Sequence, residues 1–301
     1  MTGPQSAEPG TTPGIRVAVV TVSYDSAAVL EPFLASIPAA ASGTAVAVYV
    51  ADNKPDSPAR PAIERMTAEA GAHYVPMTGN LGYGHAVNAV VDTLPAGIPF
   101  VLVSNPDVVL HPGAVDALVA TMDELPDAGA VGPKIVETDG SVYPSARPVP
   151  SLRNGIGHAI FGTFWPGNPW TRAYRPPLGE HPVRRDAGWL SGSCFLIRRE
   201  VFDALDGFDT GYFMYFEDVD LGYRLGRLGR RNVYEPNAVV LHTGAHSTTG
   251  DSAARMLEAH HDSAKRFLAR KYSGPLRWPV RTALSLGLTV RSALVRRKAT
   301  R

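Results

Sequence analysis

The strongest constraint on this chain is a series of short apolar runs, each ending in polar residues and separated by stretches with helical spacing. "IRVAVVTVSY" (Ile15–Tyr24), "AVAVYVAD" (Ala45–Asp52) and "FVLVS" (Phe100–Ser104) are β-branched and nearly continuously apolar, too short for typical helices. A shorter strand is expected near His73–Val75. Between them, "SAAVLEPFLASI" carries helical spacing with Ser26 as a candidate N-cap, a helix is expected around Ala59–Ala70, and "HAVNAVVDTL" reads as a third. Strands apolar on both faces and alternating with helices argue a parallel sheet covered on both sides. In such sheets ligands bind beyond the carboxyl ends of the strands. The clusters Ser23-Tyr24-Asp25, Asp52-Asn53 and Asn105-Pro106-Asp107 all fall at those ends.

A length of 301 residues fits one large α/β domain with extensions or two small ones, and a hydrophobic fraction of 45% supplies a core. Cys194 is the single cysteine, so no internal disulfide forms, and its apolar setting in "SGSCFLI" favours a buried, inert thiol. The opening "MTGPQSAEPGTTPG" lacks the basic and apolar regions of a signal peptide and reads as a disordered lead-in over residues 1–14. No run approaches the roughly 20 apolar residues of a membrane span. Charge is unevenly spread. Eleven Lys or Arg and no acid follow Asp262, so residues 1–262 carry −10 within a net +1. An acidic body with a basic tail points to an anionic surface, nucleic acid or lipid.

The second half holds the chemistry. "FMYFEDVDLGYRLG" (Phe213–Gly226) sets Glu217, Asp218 and Asp220 within four positions, after a group of aromatic rings. They can be a solvated helix start that gains from the dipole, with Asp220 and Arg224 as a surface pair, or a site that needs a general base. Asp107 in "SNPD" can ligate a divalent cation or form an Asx-turn. His242 ends the strand-like run "RNVYEPNAVVLH"; with Asp107 it would make a mixed O/N site suited to Mg²⁺ or Mn²⁺. "GNLGYGHAVN" (Gly79–Asn88) is either a phosphate-approaching loop or a plain turn, and matches neither nucleotide fingerprint. The segment from Tyr143 to Arg185 is long and irregular, and its Phe161, Phe164, Trp165 and Trp170 argue against disorder. "GWLSGSCFLIRREVF" reads as a strand running into a helix.

In order, "VTVSYDS", "VADNKPDS", "GNLGYGHAVN", "SNPDVVL", "GSCFLIRRE", "GFDTGYFMYFEDVDLGYRL" and "VVLHTGAHS" resemble the GT-A glycosyltransferases of family 2, and within them the rhamnosyltransferase branch. The resemblance spans roughly Ile15 to Ser247. It implies a GT-A catalytic domain over 15–250, with a nucleotide-binding half (15–110) and an acceptor half (111–250). Asp107 would hold the metal, Mg²⁺ or Mn²⁺, with His242 as second ligand; Asn105 stands where the family's first acid falls. Thr21, Ser23, Tyr24, Asp52 and Asn53 would contact the thymidine of the donor. Asn80, Gly82, Tyr83 and Asn88 would line its nucleotide and sugar side. Asp218 would be the catalytic base, with Glu217 and Asp220 orienting the site, and Trp189, Ser191, Gly192 and Ser193 would face the acceptor. "DGSVYPSARPVPSL", "FWPGNPWT" and the tail are similar to members that build a cell-wall (arabinogalactan) linkage unit. These imply inverting transfer of L-rhamnose from dTDP-rhamnose to a polyprenyl-diphosphate-linked GlcNAc.

With that acceptor, residues 251–301 read as a basic, helical, membrane-associating tail rather than a nucleic-acid arm. The expected location is cytoplasmic, peripheral on the inner face of the plasma membrane. The alternative is a solvated helix packed on the body. Rival classes fit less well. A nucleotidyltransferase or dehydrogenase would need a glycine-rich turn after the first strand, which "VTVSYDSAAVL" lacks. A non-catalytic carbohydrate-binding protein would not need "NPD" and "EDVD" together. Another donor or a polysaccharide acceptor within the family is the remaining alternative.

Overall fold

The computed structural model describes residues 14–151, 182–244, 251–274 and 282, with backbone alone for 251–258. The lead-in through residue 13, the aromatics Phe161, Phe164, Trp165 and Trp170, and most of the tail beyond residue 274 lie outside the described residues.

The first half alternates as its apolar pattern requires. β1 (Val17–Ser23), α1 (Ala27–Ala40), β2 (Val46–Asp52), α2 (Arg60–Glu69), β3 (His73–Pro76), α3 (Tyr83–Thr93) and β4 (Phe100–Ser104) follow in turn. β3, β2, β1 and β4 lie side by side, all parallel, with Ser23 level with Asp52 and Thr21 level with Ser104. The polar ends of these strands therefore form one edge. Val17 and Val19 pack with Leu30, Phe33 and Ile63 on one face, while Ala18 and Val20 pack with Val87 and Val90 on the other. That period-two split is why the strands read as unbroken apolar runs. Ser26 sits at the N-cap of α1, but its hydroxyl accepts from the Tyr24 N–H (3.1 Å) rather than capping the helix.

The second half is mixed. β5 (Val108–Leu110), α4 (Ala114–Glu124), β6 (Ala128–Glu137), β7 (Val142–Tyr143) and β8 (Ala146–Arg147) are followed by β9 (Arg185–Ala187), β10 (Trp189–Leu190) and β11 (Cys194–Arg198). Then come α5 (Arg199–Ala204), α6 (Glu217–Arg227), β12 (Arg231–His242) and α7 (Asp251–Lys271). β11 lies between β4 and β6, antiparallel to both, and welds the two halves into one sheet ordered β3-β2-β1-β4-β11-β6-β12-β5. The division at residue 110 is thus a change of role along one sheet.

The expected boundary at residue 251 moves. α7 is not part of a free tail: Phe267 is fully buried against Trp189, Tyr212 and Val219, and His261, Ser263 and Ala264 are buried too. Ser263 Oγ donates to the Met214 carbonyl (2.8 Å). Arg266 and Arg270 pair with Asp209, Arg270 also pairs with Asp220, and Lys271 Nζ donates to the Pro150 carbonyl. These cations were counted toward a membrane-facing charge, yet they are spent inside the domain. No helix among the described residues is long and apolar enough to cross a membrane. If α7 belongs to the catalytic body, Phe267→Ala lowers the stability of the whole domain by about 3–5 kcal/mol. A single, lower cooperative melting transition checks this; an unchanged midpoint would refute the new boundary.

Candidate functional site

Three segments meet at the carboxyl edge of the sheet. The first centres on Asp107, at the turn after β4. The β5–β12 ladder sets Val108 opposite His242, and Thr243 closes it by donating its N–H (2.9 Å) and hydroxyl (3.0 Å) to the Asp107 carbonyl. The ladder brings His242 Nε2 to 3.4 Å from Asp107 Oδ2, although 135 residues separate them in the chain. Asp107 raises the pKa of His242 by hydrogen bonding to its charged form, against the opposing effect of burial. Asp107 Oδ1 is buried with no hydrogen-bond partner among the described residues. Asn105, two residues earlier, is anchored by its backbone N–H to the Ser193 carbonyl (2.9 Å).

The second segment carries the carboxylates. Tyr215 and Phe216 both adopt left-handed backbone (φ 65° and 66°), a cost of roughly 1–3 kcal/mol each for non-glycine residues. That kink starts α6 abruptly and turns its first residues toward the sheet. The solvated surface arrangement is excluded, because Glu217 is 8% exposed and Asp220 is 0%. Glu217 is pushed well above the ordinary carboxyl value, chiefly by burial and then by the neighbouring Asp218 charge, and its Oε2 has no partner among the described residues. Asp218 is half-buried, and burial raises it too. It is oriented by two backbone donors, Gly192 N–H to Oδ2 (2.9 Å) and Val219 N–H to Oδ1 (2.7 Å). Asp220 faces elsewhere. Its carboxylate is gripped by Arg224 (2.7 Å) and Arg270 (2.9 Å), which makes it a structural anchor of α6 rather than a group free to react.

The third segment is the loop before α3. Gly82 has φ +107°, and a Cβ there would lie 2.5 Å from the Phe213 carbonyl oxygen. This glycine therefore serves close backbone approach, and Tyr83 N–H donates to the same carbonyl (3.2 Å). The Tyr83 hydroxyl reaches the Gly192 carbonyl (3.1 Å). Its pKa is raised well above normal by burial, then by the charges of Glu217, Asp218 and Asp107, among others. The ring also lies edge-on to Phe208, with centroids 6.3 Å apart.

The expected donor residues line the same edge. Thr21 is fully buried, and its Oγ1 lacks a partner among the described residues. The Ser23 carbonyl accepts from Asn53 N–H (2.8 Å), joining the ends of β1 and β2. Asp52 accepts from the Tyr74 hydroxyl (2.8 Å), and Asn53 Nδ2 donates to Asn80 Oδ1 (3.4 Å) and the Gly82 carbonyl (3.3 Å). Tyr24 is 49% exposed beneath the Lys54 ammonium.

Two expected residues are corrected. Asn88 spends its amide on the Phe208 backbone, donating to the carbonyl (2.8 Å) and accepting from the N–H (2.9 Å), so it ties α3 to the loop after α5. Trp189 is buried beside Tyr212 and Phe267, with its indole N–H on the Pro148 carbonyl (3.2 Å), so it cannot offer a face to an acceptor. Ser191, Gly192 and Ser193 do stay at the site: Gly192 holds both Asp218 and Tyr83, and Ser193 holds Asn105. Cys194 is buried, with its thiol pushed up to about 12 by desolvation, as its apolar setting implied. Sequence reading missed Glu137, whose Oε1 lies 3.8 Å from His242 Nδ1, because only the β6–β12 register brings them level.

Residues 13–259 match the family described as "Glycosyltransferase like family 2". The chain is 49% identical over 294 residues to the N-acetylglucosaminyl-diphospho-decaprenol L-rhamnosyltransferase of Mycobacterium tuberculosis (strain ATCC 25618 / H37Rv), covering 92% of this chain and 94% of that protein. It is 28% identical to rhamnosyltransferase WbbL of Escherichia coli (strain K12), over 67% of this chain and 75% of that one. Among solved structures, mannosyltransferase PcManGT from Pyrobaculum calidifontis in complex with GDP-Man and Mn²⁺ aligns with a TM-score of 0.55 at 18% identity. That alignment covers 99% of this chain and 76% of the other. GalNAc-T7 with UDP, GalNAc and Mn²⁺ gives 0.55 at 14% identity, over 76% and 44%. At those identities the structural likeness establishes the GT-A fold and no more.

The burial of Glu217 has a thermodynamic consequence. Because its folded pKa lies above the unfolded one, its contribution to stability is full at low pH and is lost as pH climbs from about the ordinary 4.5 through the raised value. Glu217→Gln removes this term, so the variant gains melting temperature over the parent as pH rises from 5 to 9. A pH-independent difference would refute the assignment.

Proposed function

The chain belongs to glycosyltransferase family 2, and on that premise we propose that it transfers L-rhamnose from dTDP-rhamnose to a GlcNAc-diphospho-polyprenol with inversion at the anomeric carbon. The observation that supports the reaction type is the Ser191–Ser193 loop, whose Gly192 N–H donates to Asp218 and whose Ser193 carbonyl accepts from Asn105 N–H, two residues before Asp107. The Mycobacterium relative supports the acceptor and the sugar.

The acceptor hydroxyl would lie against Asp218. That carboxylate accepts the hydroxyl proton as the oxygen bonds to the anomeric carbon, while the bond from that carbon to the donor phosphate breaks and dTDP leaves with the electron pair. Two backbone N–H groups hold Asp218 in register, and desolvation keeps it basic enough to take the proton. Glu217, whose charged form is disfavoured, donates a hydrogen bond to a sugar hydroxyl. The half-buried rings of Tyr215 and Phe216 help exclude water.

Asp107 and His242 fit a divalent cation, because the buried Oδ1 of Asp107 has no described partner and a carboxylate with an imidazole suits Mn²⁺ or Mg²⁺. Among the described residues no group of three His, Cys, Asp or Glu forms a complete cage, so donor oxygens and water would complete the set. A bound cation would stabilise charge on the departing diphosphate.

The seven basic residues beyond α7 (Arg277, Arg281, Arg291, Arg296, Arg297, Lys298 and Arg301) would hold the enzyme at an anionic membrane, where its acceptor is anchored. Loss of residues 275–301 then releases the protein from anionic vesicles while its melting temperature is kept; vesicle binding by the shortened chain would reject this role.

Incubation with dTDP-rhamnose and a short-chain GlcNAc-diphospho-lipid, with and without Mg²⁺ or Mn²⁺, should give a metal-dependent disaccharide lipid. Asp218→Asn should lower turnover about 10²- to 10⁴-fold with dTDP binding intact. No product from a folded, donor-binding protein would reject the acceptor, and a fully active Asp218→Asn would reject the base.

A further inference from the structure

We infer that Arg147 grips a phosphate of the acceptor, an assignment that rests on the transferase reading above. Most arginines in the described core are saturated. Arg198 donates to three backbone carbonyls, Arg224 to Asp220 and two carbonyls, and Arg270 to Asp209 and Asp220. Arg147 is different. Its Nε donates to the Pro144 carbonyl at 2.7 Å, and among the described residues its Nη1 and Nη2 have no hydrogen-bond partner.

The side chain is nevertheless held in place. β8 pairs antiparallel with β10, setting Arg147 opposite Trp189. Its guanidinium carbon lies 5.3 Å from the Tyr143 ring centroid and 5.6 Å from that of Trp189. Two rings and one carbonyl fix the plane, and among the described residues the outer edge of the fork is open. That is the geometry for a bidentate anion, and a phosphate offers paired oxygens to match. Trp189, removed above from direct acceptor contact, becomes the platform for this guanidinium.

The fork is close to the chemistry. Ser191 N–H donates to the Ser145 carbonyl (2.7 Å), stitching the β8 strand to the loop whose Gly192 holds Asp218. Burial raises the Asp218 carboxyl, and the Arg147 charge is among the weaker influences pulling it down, so the two groups feel each other. The acceptor hydroxyl must reach Asp218 while its diphosphate lies across one sugar ring, which puts an anion in this neighbourhood. The donor diphosphate is the other source of phosphate. It is expected at the Asp107–His242 pair, whereas Ser145, next to Arg147, is tied to the loop whose Gly192 holds Asp218, the group the acceptor hydroxyl must reach. The acceptor is therefore the ligand assigned.

The test compares two acceptors, a short-chain GlcNAc-diphospho-lipid and an uncharged alkyl glycoside of GlcNAc, in the full chain and in Arg147→Gln. The substitution should raise KM for the diphosphorylated acceptor about 10- to 100-fold and for the neutral one far less, with dTDP affinity unchanged. Equal losses on both acceptors, with a shifted pH–rate profile, would reduce Arg147 to an electrostatic neighbour of Asp218. Weaker dTDP binding would move it to the donor. No change in either KM would leave it structural. Each of these overturns the assignment. Should Arg147→Gln fail to fold, Arg147→Lys keeps charge and stem but loses the fork, and the same selective rise, smaller in size, is required of it. Wild-type protein that binds dTDP yet turns over neither acceptor would reject the acceptor reading above and this assignment with it.

Discussion

Three carboxylates within four residues cannot all be buried as free anions, and much of the acceptor half is arranged around that constraint. Each is accommodated differently. Asp220, fully buried, is neutralised by two guanidinium groups from α6 and α7. Asp218 is pushed up by burial, offset in part by two backbone N–H donors and partial access to solvent. Glu217 has neither, so its charge is suppressed. This division turns a repulsive cluster into an ion-paired anchor, a carboxylate held by backbone donors and a carboxyl whose charged form is disfavoured. Breaking the buried pair at Asp220 would leave an uncompensated charge, which explains why α7 must pack onto the catalytic body.

The same constraint accounts for the backbone around it. Consecutive left-handed residues at Tyr215 and Phe216 are costly and persist because both sides of the kink are fixed. On one side, the Phe213 carbonyl accepts from Tyr83 and requires glycine at position 82. On the other, α7 holds the Met214 carbonyl through Ser263, and the Phe216 ring lies 5.8 Å from that of Phe267. The loop before α3 and the turn that starts α6 are thus braced against each other.

Legibility in the sequence varied by element. The strand from Arg231 to His242 was readable to its last residue, as the apolar run Ala238–Leu241 gives way to His242 where the strand ends. The parallel first half followed from β-branched runs punctuated by polar ends. That β11 runs antiparallel between the halves was not readable, because an apolar run carries no direction. Asp107, His242 and Asp218 were singled out by motif; the structure pairs the first two and holds the third on Gly192, next to the Ser193 that anchors Asn105. Asn88 and Trp189 shared that motif support, yet their polar groups are consumed by the Phe208 and Pro148 carbonyls. Spacing shows which residues can act, but not which are already satisfied.

By itself, then, the sequence determined the α/β layering, the edge at which polar residues collect and the family, because periodicity and local motifs are properties of adjacent residues. Tertiary structure alone decided how each of three neighbouring carboxylates is partnered, that the last described helix packs onto the sheet domain, and which rings flank Arg147. Those outcomes depend on partners many residues away, such as Arg270 for Asp220, Gly192 for Asp218 and Trp189 for Arg147, and on the water their packing excludes.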